Sequence, residues 1–175
     1  MPTATINNHN MYYELHGDGP PAVYIGGWDT FCHGREHFLA RGMTDKYSVL
    51  LIDYRGIGES DDDLSVTPST ELHADDIIGL LDHLGMTNVY FVGLVGIGAC
   101  IGQWVALKRP ELVRCMVNMG CWAHSDECMT DQLNALGTMH EKAGFLAFQE
   151  LVAVYSFRPD YYIANRHKLL GSGRV

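Results

Sequence analysis

Three glycine-rich turns are the segments of this sequence best suited to chemistry, because each follows an apolar run of strand-forming residues. They are Gly26–Gly27, Arg55–Gly58 and Gly96–Gly98. Glycine lets the backbone turn tightly and lets its N–H groups face a ligand. In a parallel sheet such turns meet at the carboxyl ends of the strands, where binding sites form. The pattern therefore predicts a small-molecule site built largely from backbone atoms.

A dinucleotide-binding loop is the alternative interpretation of these glycines. That loop needs G-x-G-x-x-G after the first parallel strand, with an acidic residue about 20 positions later. Gly93, Gly96 and Gly98 have a different spacing and follow a late strand. We therefore expect no nucleotide cofactor, and no other feature of the sequence indicates a cofactor.

Two groups of side chains have the composition of a metal site. His33 and His37 have the i, i+4 spacing of one helix face, and Glu59–Asp63 is rich in carboxylates. The histidines have no evident third ligand, which a zinc site requires. The acidic run could hold a hard cation but is more typical of a solvated loop. We therefore expect no metal ion.

The elements that would position the turns alternate between apolar strand-like runs and amphipathic helices, as in a mainly parallel α/β sheet. The predicted strands are residues 4–6, 11–15, 22–25, 47–53, 88–95 and 113–119. The predicted helices between them cover residues 32–42, 69–84 and 100–108. Ser69 or Thr70 could cap the second of these helices.

The period of the apolar residues changes after position 125. Residues 127–143, 145–156 and 160–170 have helical spacing, with no strand between them. The sequence thus predicts an α/β core over residues 1–125, with an N-terminal hairpin, and a helical cap segment over residues 126–175.

Two motifs make a family resemblance specific. Asp53–Ser60 has the form D-x-R-G-x-G-x-S, and Val92–Val113 has the form of a strand, a sharp turn and a helix. Both resemble α/β-hydrolases, and Asp75 matches an acidic position of that family. GACIGQWVALKRPELV and the segment Phe157–Tyr162 are similar to aminoacrylate hydrolases and 3-oxoadipate enol-lactonases. The resemblance implies an α/β-hydrolase fold and activity on a small ester, lactone or amide.

The family's G-x-S-x-G elbow carries a serine nucleophile on a strained strand-to-helix turn. Counting back from Arg109–Pro110 places Gly96 in the serine position, and counting forward from Gly93 places Val95 there. Neither side chain can attack a carbonyl. Cys100 is the alternative nucleophile, in G-x-C-x-G, if the strand continues to Ala99. Otherwise Cys100 is an apolar residue in the first helical turn.

The resemblance also implies two backbone N–H groups that would hold an oxyanion. We expect the N–H groups of Gly27 and Ile97 to fill this role. Ile25 stands where the family has histidine, and Gly26–Gly27 can also be interpreted as a simple tight turn. Three tryptophans could line an apolar pocket or pack in the core: Trp28, Trp104 and Trp122.

In the family, the catalytic acid and histidine lie on loops after two further strands beyond the cap. We expect this chain to be truncated after the cap, without the last core strands, and we assign no histidine as the base. Residues 113–119 are apolar on both sides and would then form a sheet edge, which invites pairing. The expected partner is a second copy or a complementing chain.

The composition excludes several classes of function. The net charge is −9 with no Lys/Arg cluster, which argues against nucleic acid and anionic membranes as partners. No apolar run reaches the roughly 20 residues of a membrane helix, and the N-terminus does not resemble a signal peptide. Five cysteines, an odd number, favour reduced thiols in the cytoplasm.

Three functional hypotheses follow. The chain is a nominal hydrolase that uses Cys100 or residues of another chain; it is a non-catalytic module that binds a small apolar or carbonyl-containing ligand or a protein; or it is a fragment without its own function. In each case we expect the isolated chain to be inactive as a serine hydrolase.

Overall fold

The computed structural model describes residues 2–27, 39–63, 65–93 and 96–170. The chain divides into two compact units, Met1–Ala123 and His124–Val175, which are described separately. The predicted helix over residues 32–42 falls mostly outside the described residues, and residues 39–42 are not helical.

The first unit is built on a six-stranded sheet with the order β1-β2-β4-β3-β5-β6. Its strands are β1 (Thr3–Ile6), β2 (His9–His16), β3 (Pro21–Ile25), β4 (Ser48–Ile52), β5 (Val89–Gly93) and β6 (Val113–Asn118). The last four are parallel to one another, whereas β1 and β2 pair in the antiparallel sense. The predicted α/β class, with a mainly parallel sheet and an N-terminal hairpin, is confirmed.

The N-terminal hairpin turns on two residues, whereas the predicted strands 4–6 and 11–15 left four residues between them. Asn7 and Asn8 both have positive φ angles, 47° and 64°. This combination is typical of the type I′ turn, which asparagine tolerates better than most residues. His9 is therefore already part of β2, where it pairs with Ile6.

Two helices and a short 3₁₀ turn connect the later strands. Helix α1 (Thr70–Leu84) begins after Ser69, whose side chain accepts a hydrogen bond from the Leu72 N–H, and it ends at Gly85. Helix α2 (Ile97–Lys108) leads through Pro110–Leu112 into β6. The predicted cap and end of α1 are confirmed.

The core of this unit lies between the two helices and one face of the sheet. Val23, Leu50 and Phe91 of the strands pack in one cluster with Ile77 of α1 and Ile101 of α2, and all five are essentially inaccessible to solvent. Burial of such side chains is the main driving force for folding. Both described helices therefore cover the same face of the sheet.

The described part of the second unit contains helices and no strand. Helix α3 (Glu127–Ser156) is interrupted at Gly144, which has φ 82° and ψ 171°, and α4 (Pro159–Leu169) follows. The break falls between the two helices that the sequence predicted, residues 127–143 and 145–156. Asp126 caps α3 by accepting a hydrogen bond from the Met129 N–H.

Candidate functional site

The predicted elbow lies between β5 and α2, and residues 94 and 95, including the alternative position Val95, lie outside the described residues. Strand β5 ends at Gly93 and α2 begins at Ile97, and Gly96 between them has φ 70° and ψ −97°. A residue with a Cβ atom is strained in this conformation, whereas glycine is not. Gly96 therefore occupies a turn of the shape that the family resemblance implies, without a side chain.

Close backbone packing brings the β3 turn against the start of α2. A Cβ atom on Gly98 would lie 2.6 Å from the Ile25 carbonyl oxygen and closer still to that of Gly26. Only glycine at position 98 permits this approach. The segments that carry Gly27 and Ile97 thus adjoin, as the proposed pair of oxyanion donors requires.

The N-terminus of α2 has no side-chain cap. The Cys100 N–H donates to the Gly96 carbonyl oxygen at 3.0 Å, which closes the first helical turn. The N–H groups before Cys100 are those that a helix leaves without internal partners. Ile97, Gly98 and Ala99 carry the N–H groups at this end of α2. Such groups attract a negatively charged or carbonyl oxygen.

The side chain of Trp122 fills the space next to Gly96. A Cβ atom built on Gly96 would lie 2.9 Å from Cζ3 and 3.2 Å from Cη2 of the indole. Real Cβ atoms essentially never approach another heavy atom within 3.0 Å. The space that a side chain at position 96 would need is therefore taken by the far edge of an aromatic ring. Trp122 is thus one of the three tryptophans considered above, and it lies next to Gly96.

The condition for a cysteine elbow is not met. That hypothesis required a strand as far as Ala99, but α2 begins at Ile97, so Ala99 and Cys100 are both helical. Cys100 is 7% exposed, and its Sγ lies 3.4 Å from the Trp122 carbonyl oxygen, to which it donates. Cys100 therefore occupies the first helical turn, the alternative interpretation given above. Trp28, the other predicted binding residue, lies outside the described residues.

The D-x-R-G-x-G-x-S motif folds around Asp53, which is completely buried. Its Oδ2 accepts a hydrogen bond from the Glu59 N–H at 2.9 Å, and its carbonyl oxygen accepts one from the Ser60 hydroxyl at 2.8 Å. Ser60 also accepts a hydrogen bond from the Tyr12 N–H at 2.8 Å. The motif's aspartate and serine thus hold the loop to the sheet.

The buried acid of α1 is Asp76, not Asp75. Asp76 is 1% exposed, and its carboxylate lies 3.2 Å from Nε and 3.0 Å from Nη2 of Arg55. It also accepts a hydrogen bond from the Asn7 side chain at 2.9 Å. Asp75 instead forms a partly exposed pair with Lys108. Helical spacing could have identified Asp76, because it lies four residues after Leu72 and four before Leu80.

Tyr54 joins the motif to the β3 turn, a link that the sequence analysis missed. Its hydroxyl donates to the Gly26 carbonyl oxygen, and its ring lies 5.3 Å from that of His73. Burial raises the pKa of Tyr54 well above its usual value and also lowers the pKa of His73. Both side chains are therefore neutral at pH 7 and serve as packing groups behind the turn.

The acidic run after the motif fixes local backbone. The Asp61 carboxylate accepts hydrogen bonds from Asn10, and that of Asp63 accepts them from Ser65.

Among the described helices, none is long and apolar enough to cross a membrane.

Comparison with known proteins identifies the class to which this geometry belongs. The family model described as alpha/beta hydrolase fold matches residues 24–143. The protein designated carbamate hydrolase RutD of Stutzerimonas stutzeri (strain A1501) is 30% identical over 172 residues, which cover 91% of this chain and 61% of that protein. Epoxide hydrolase 1 of Siraitia grosvenorii is 31% identical over 118 residues, which cover 67% of this chain and 37% of that protein.

Solved structures share the fold at lower identity. MGS-M2, an alpha/beta hydrolase from a deep-sea metagenome library, superposes with a TM-score of 0.84 at 20% identity, covering 97% of this chain and 64% of its own. The enol-lactonase from Burkholderia xenovorans LB400 gives 0.75 at 18%, covering 96% and 64%. This chain thus spans less than two thirds of the length of these proteins.

Proposed function

Because this chain belongs to the alpha/beta hydrolase fold family, we propose that it is a member that binds a small carbonyl-containing molecule at the elbow without hydrolysing it through a side-chain nucleophile. A single observation carries the proposal. Gly96 stands at the turn, and the indole of Trp122 takes the space of the missing side chain. Without an attacking lone pair, no covalent intermediate can form there.

The binding half of the site is what the proposal retains. The Gly27 and Ile97 N–H groups would donate to the ligand's carbonyl oxygen, since their segments adjoin through Gly98. The relatives support this class of ligand: one is designated a carbamate hydrolase and another an enol-lactonase. Carbamates and lactones both present a carbonyl oxygen. By family membership alone, the chain would be called a hydrolase of a small ester, lactone or amide. The proposal keeps this class of ligand and not the hydrolysis.

Hydrolysis of p-nitrophenyl acetate by the purified chain tests this proposal. We expect the rate to equal that of buffer, with no burst, and to be the same for Cys100→Ala. Saturable quenching of tryptophan fluorescence by γ-butyrolactone would supply the positive result. Turnover that disappears in Cys100→Ala would instead support the cysteine hypothesis. Turnover that persists in that variant would place a nucleophile elsewhere.

A role in association is the second candidate function, because β6 is an edge strand with exposed apolar side chains. Val117 and Met119 are each 54% exposed, and Cys115 is exposed beside them. Although Arg114 on this strand is also exposed, an edge strand with exposed apolar side chains favours pairing with another strand. The proposed partner is a second copy of this chain or a complementing chain. A strictly monomeric mass at high concentration would contradict self-association.

We also propose that the protein resides in the cytoplasm. Cys100, Cys115, Cys121 and Cys128 are free thiols in the described structure, which is typical of proteins from a reducing compartment. Fractionation of cells that produce the protein, with immunodetection, tests this assignment, and recovery outside the cytoplasm would refute it.

A further inference from the structure

We infer that Trp122 determines what reaches the elbow: its indole acts as a movable plug over Gly96, and ligands bind the α2 N-terminus only when the ring swings aside. This inference rests on the proposed function, because it concerns access to the same site. It assigns to Trp122 a role in specificity: the side chain keeps bulky ligands out of the site and takes no part in a reaction.

The contact between the ring and the elbow is tight. The ring atoms nearest to a Cβ position on Gly96 are Cζ3 and Cη2, at 2.9 and 3.2 Å. Any ligand atom placed at that position would meet the same two atoms. The next contact there, the Gly120 carbonyl oxygen, is already 3.9 Å away. Among the described residues, the indole is therefore the group that closes this side of the turn.

The backbone beneath the ring is anchored. The Met119 N–H donates to the Gly93 carbonyl oxygen at 3.0 Å, and the Gly96 N–H donates to that of Met119 at 3.4 Å. The thiol of Cys100 donates to the Trp122 carbonyl oxygen at 3.4 Å. These bonds tie the residues around Trp122 to the elbow itself. Opening must therefore come from side-chain rotation and not from movement of the segment.

Rotation is open to this side chain. Trp122 is only partly buried, so solvent-accessible space adjoins it. The two obstructing atoms lie at the far end of the ring, where a small change in side-chain torsion gives the largest displacement. A small, flat carbonyl compound could enter beside the displaced ring and pack against it, whereas a branched compound would need the ring removed.

Thiol labelling measures this obstruction directly. Gly96→Cys is prepared alone, with Trp122→Ala and with Trp104→Ala, and each is treated with iodoacetamide and mapped by peptide mass spectrometry. We expect the thiol introduced at position 96 to react about tenfold faster or more when Trp122 is alanine. Trp104→Ala is the matched control and should leave the rate unchanged. The exposed Cys115 and Cys121 serve as internal standards.

Equal labelling with and without Trp122 would overturn the inference. The backbone strain of a non-glycine residue at position 96 is common to all three variants, so it cancels in the comparison. Should Gly96→Cys fail to fold, Trp28→Phe with Trp104→Phe leaves Trp122 as the sole tryptophan, whose emission can be excited selectively. Its acrylamide quenching should rise as γ-butyrolactone is added, and constant quenching despite saturable binding would also overturn the inference.

The inference about Trp122 and the proposed function can be contradicted separately. Labelling requires no ligand and no turnover, so a plug could be demonstrated in a chain that proves to hydrolyse p-nitrophenyl acetate. Conversely, an inactive chain that binds γ-butyrolactone with an unobstructed position 96 would retain the proposed function and lose the plug.

Discussion

At the scale of single residues, two features favour glycine at position 96: its backbone conformation and its contact with Trp122. Gly96 has a φ of 70°, which a Cβ atom disfavours, and the indole edge leaves no room for that atom. These are separate contributions to the free energy of unfolding, since one is internal to the backbone and the other is a contact with a ring. A double-mutant cycle can separate them.

Gly96→Ala should lower the free energy of unfolding by about 2–4 kcal/mol, combining backbone strain with overpacking. In the Trp122→Ala background, only the strain of about 1–3 kcal/mol should remain. Urea denaturation followed by circular dichroism measures both. Identical losses in the two backgrounds would show that the ring does not press on position 96.

Asp76→Asn should destabilise the protein by about 3–5 kcal/mol, because it removes the buried carboxylate that pairs with the Arg55 guanidinium. The matched control is the adjacent Asp75→Asn. Its partner Lys108 is partly exposed, so the loss should stay below about 1 kcal/mol. Urea denaturation at pH 7 gives both values, and similar losses for the two variants would contradict the assigned roles.

His73 should make stability depend on pH. Burial is the largest effect on its pKa and lowers it below the ordinary 6.5. The Asp76 carboxylate raises the pKa by a smaller amount, and Arg55 and His9 lower it further. The unfolded chain therefore binds a proton more readily than the folded one. The stabilising contribution is full above pH 6.5 and is lost as the pH falls through the folded-state pKa.

His73→Phe should flatten this part of the pH profile, because phenylalanine cannot be protonated. Urea denaturation at intervals from pH 8 to pH 5 measures the profile, and the difference between wild type and variant isolates His73 from the carboxylates. The two profiles should diverge below pH 6.5. Parallel profiles would show that His73 does not contribute.

At the scale of elements, local signals carried most of the prediction. The helical period and the Ser69 cap define α1, and the change of period after residue 125 defines the cap helices. Each of these depends on residues close in sequence. The choice of Asp76 over Asp75, the Tyr54 link and the contact of Trp122 with Gly96 each depend on pairs far apart in sequence. Sequence spacing therefore predicted the turn at Gly96 and could not predict what covers it.

Gly144 and Gly137 provide a test of the break within α3. A Cβ atom at either position would meet nothing within 4 Å, but only Gly144 has a positive φ. Gly144→Ala should therefore lower stability by about 1–3 kcal/mol through backbone strain. Gly137→Ala should raise it by about 0.5–1 kcal/mol, since it lies within a regular helix. Urea denaturation followed by circular dichroism at 222 nm compares the two variants. Equal stabilisation by both substitutions would contradict a break in α3 at Gly144.

At the scale of the whole molecule, the sheet of the first unit ends in two edge strands, β1 and β6. The β1-β2 hairpin forms one edge, while β6 forms the other with its apolar side chains exposed. Relatives that share this fold are longer, and this chain covers 37–64% of the length of those compared above. An edge of this kind is the feature from which association is expected.

Val117→Lys should reduce self-association through β6. A lysine placed on an edge strand opposes pairing, because two copies of the strand would bring like charges together. Light scattering at several concentrations should show a mass above the 19.5 kDa of one chain for the wild type and a value near it for the variant. Val154→Lys is the matched control, since Val154 in α3 is 52% exposed, close to the 54% of Val117. A wild-type mass of one chain at every concentration, or an equal decrease in both variants, would show that β6 is not the surface through which copies associate.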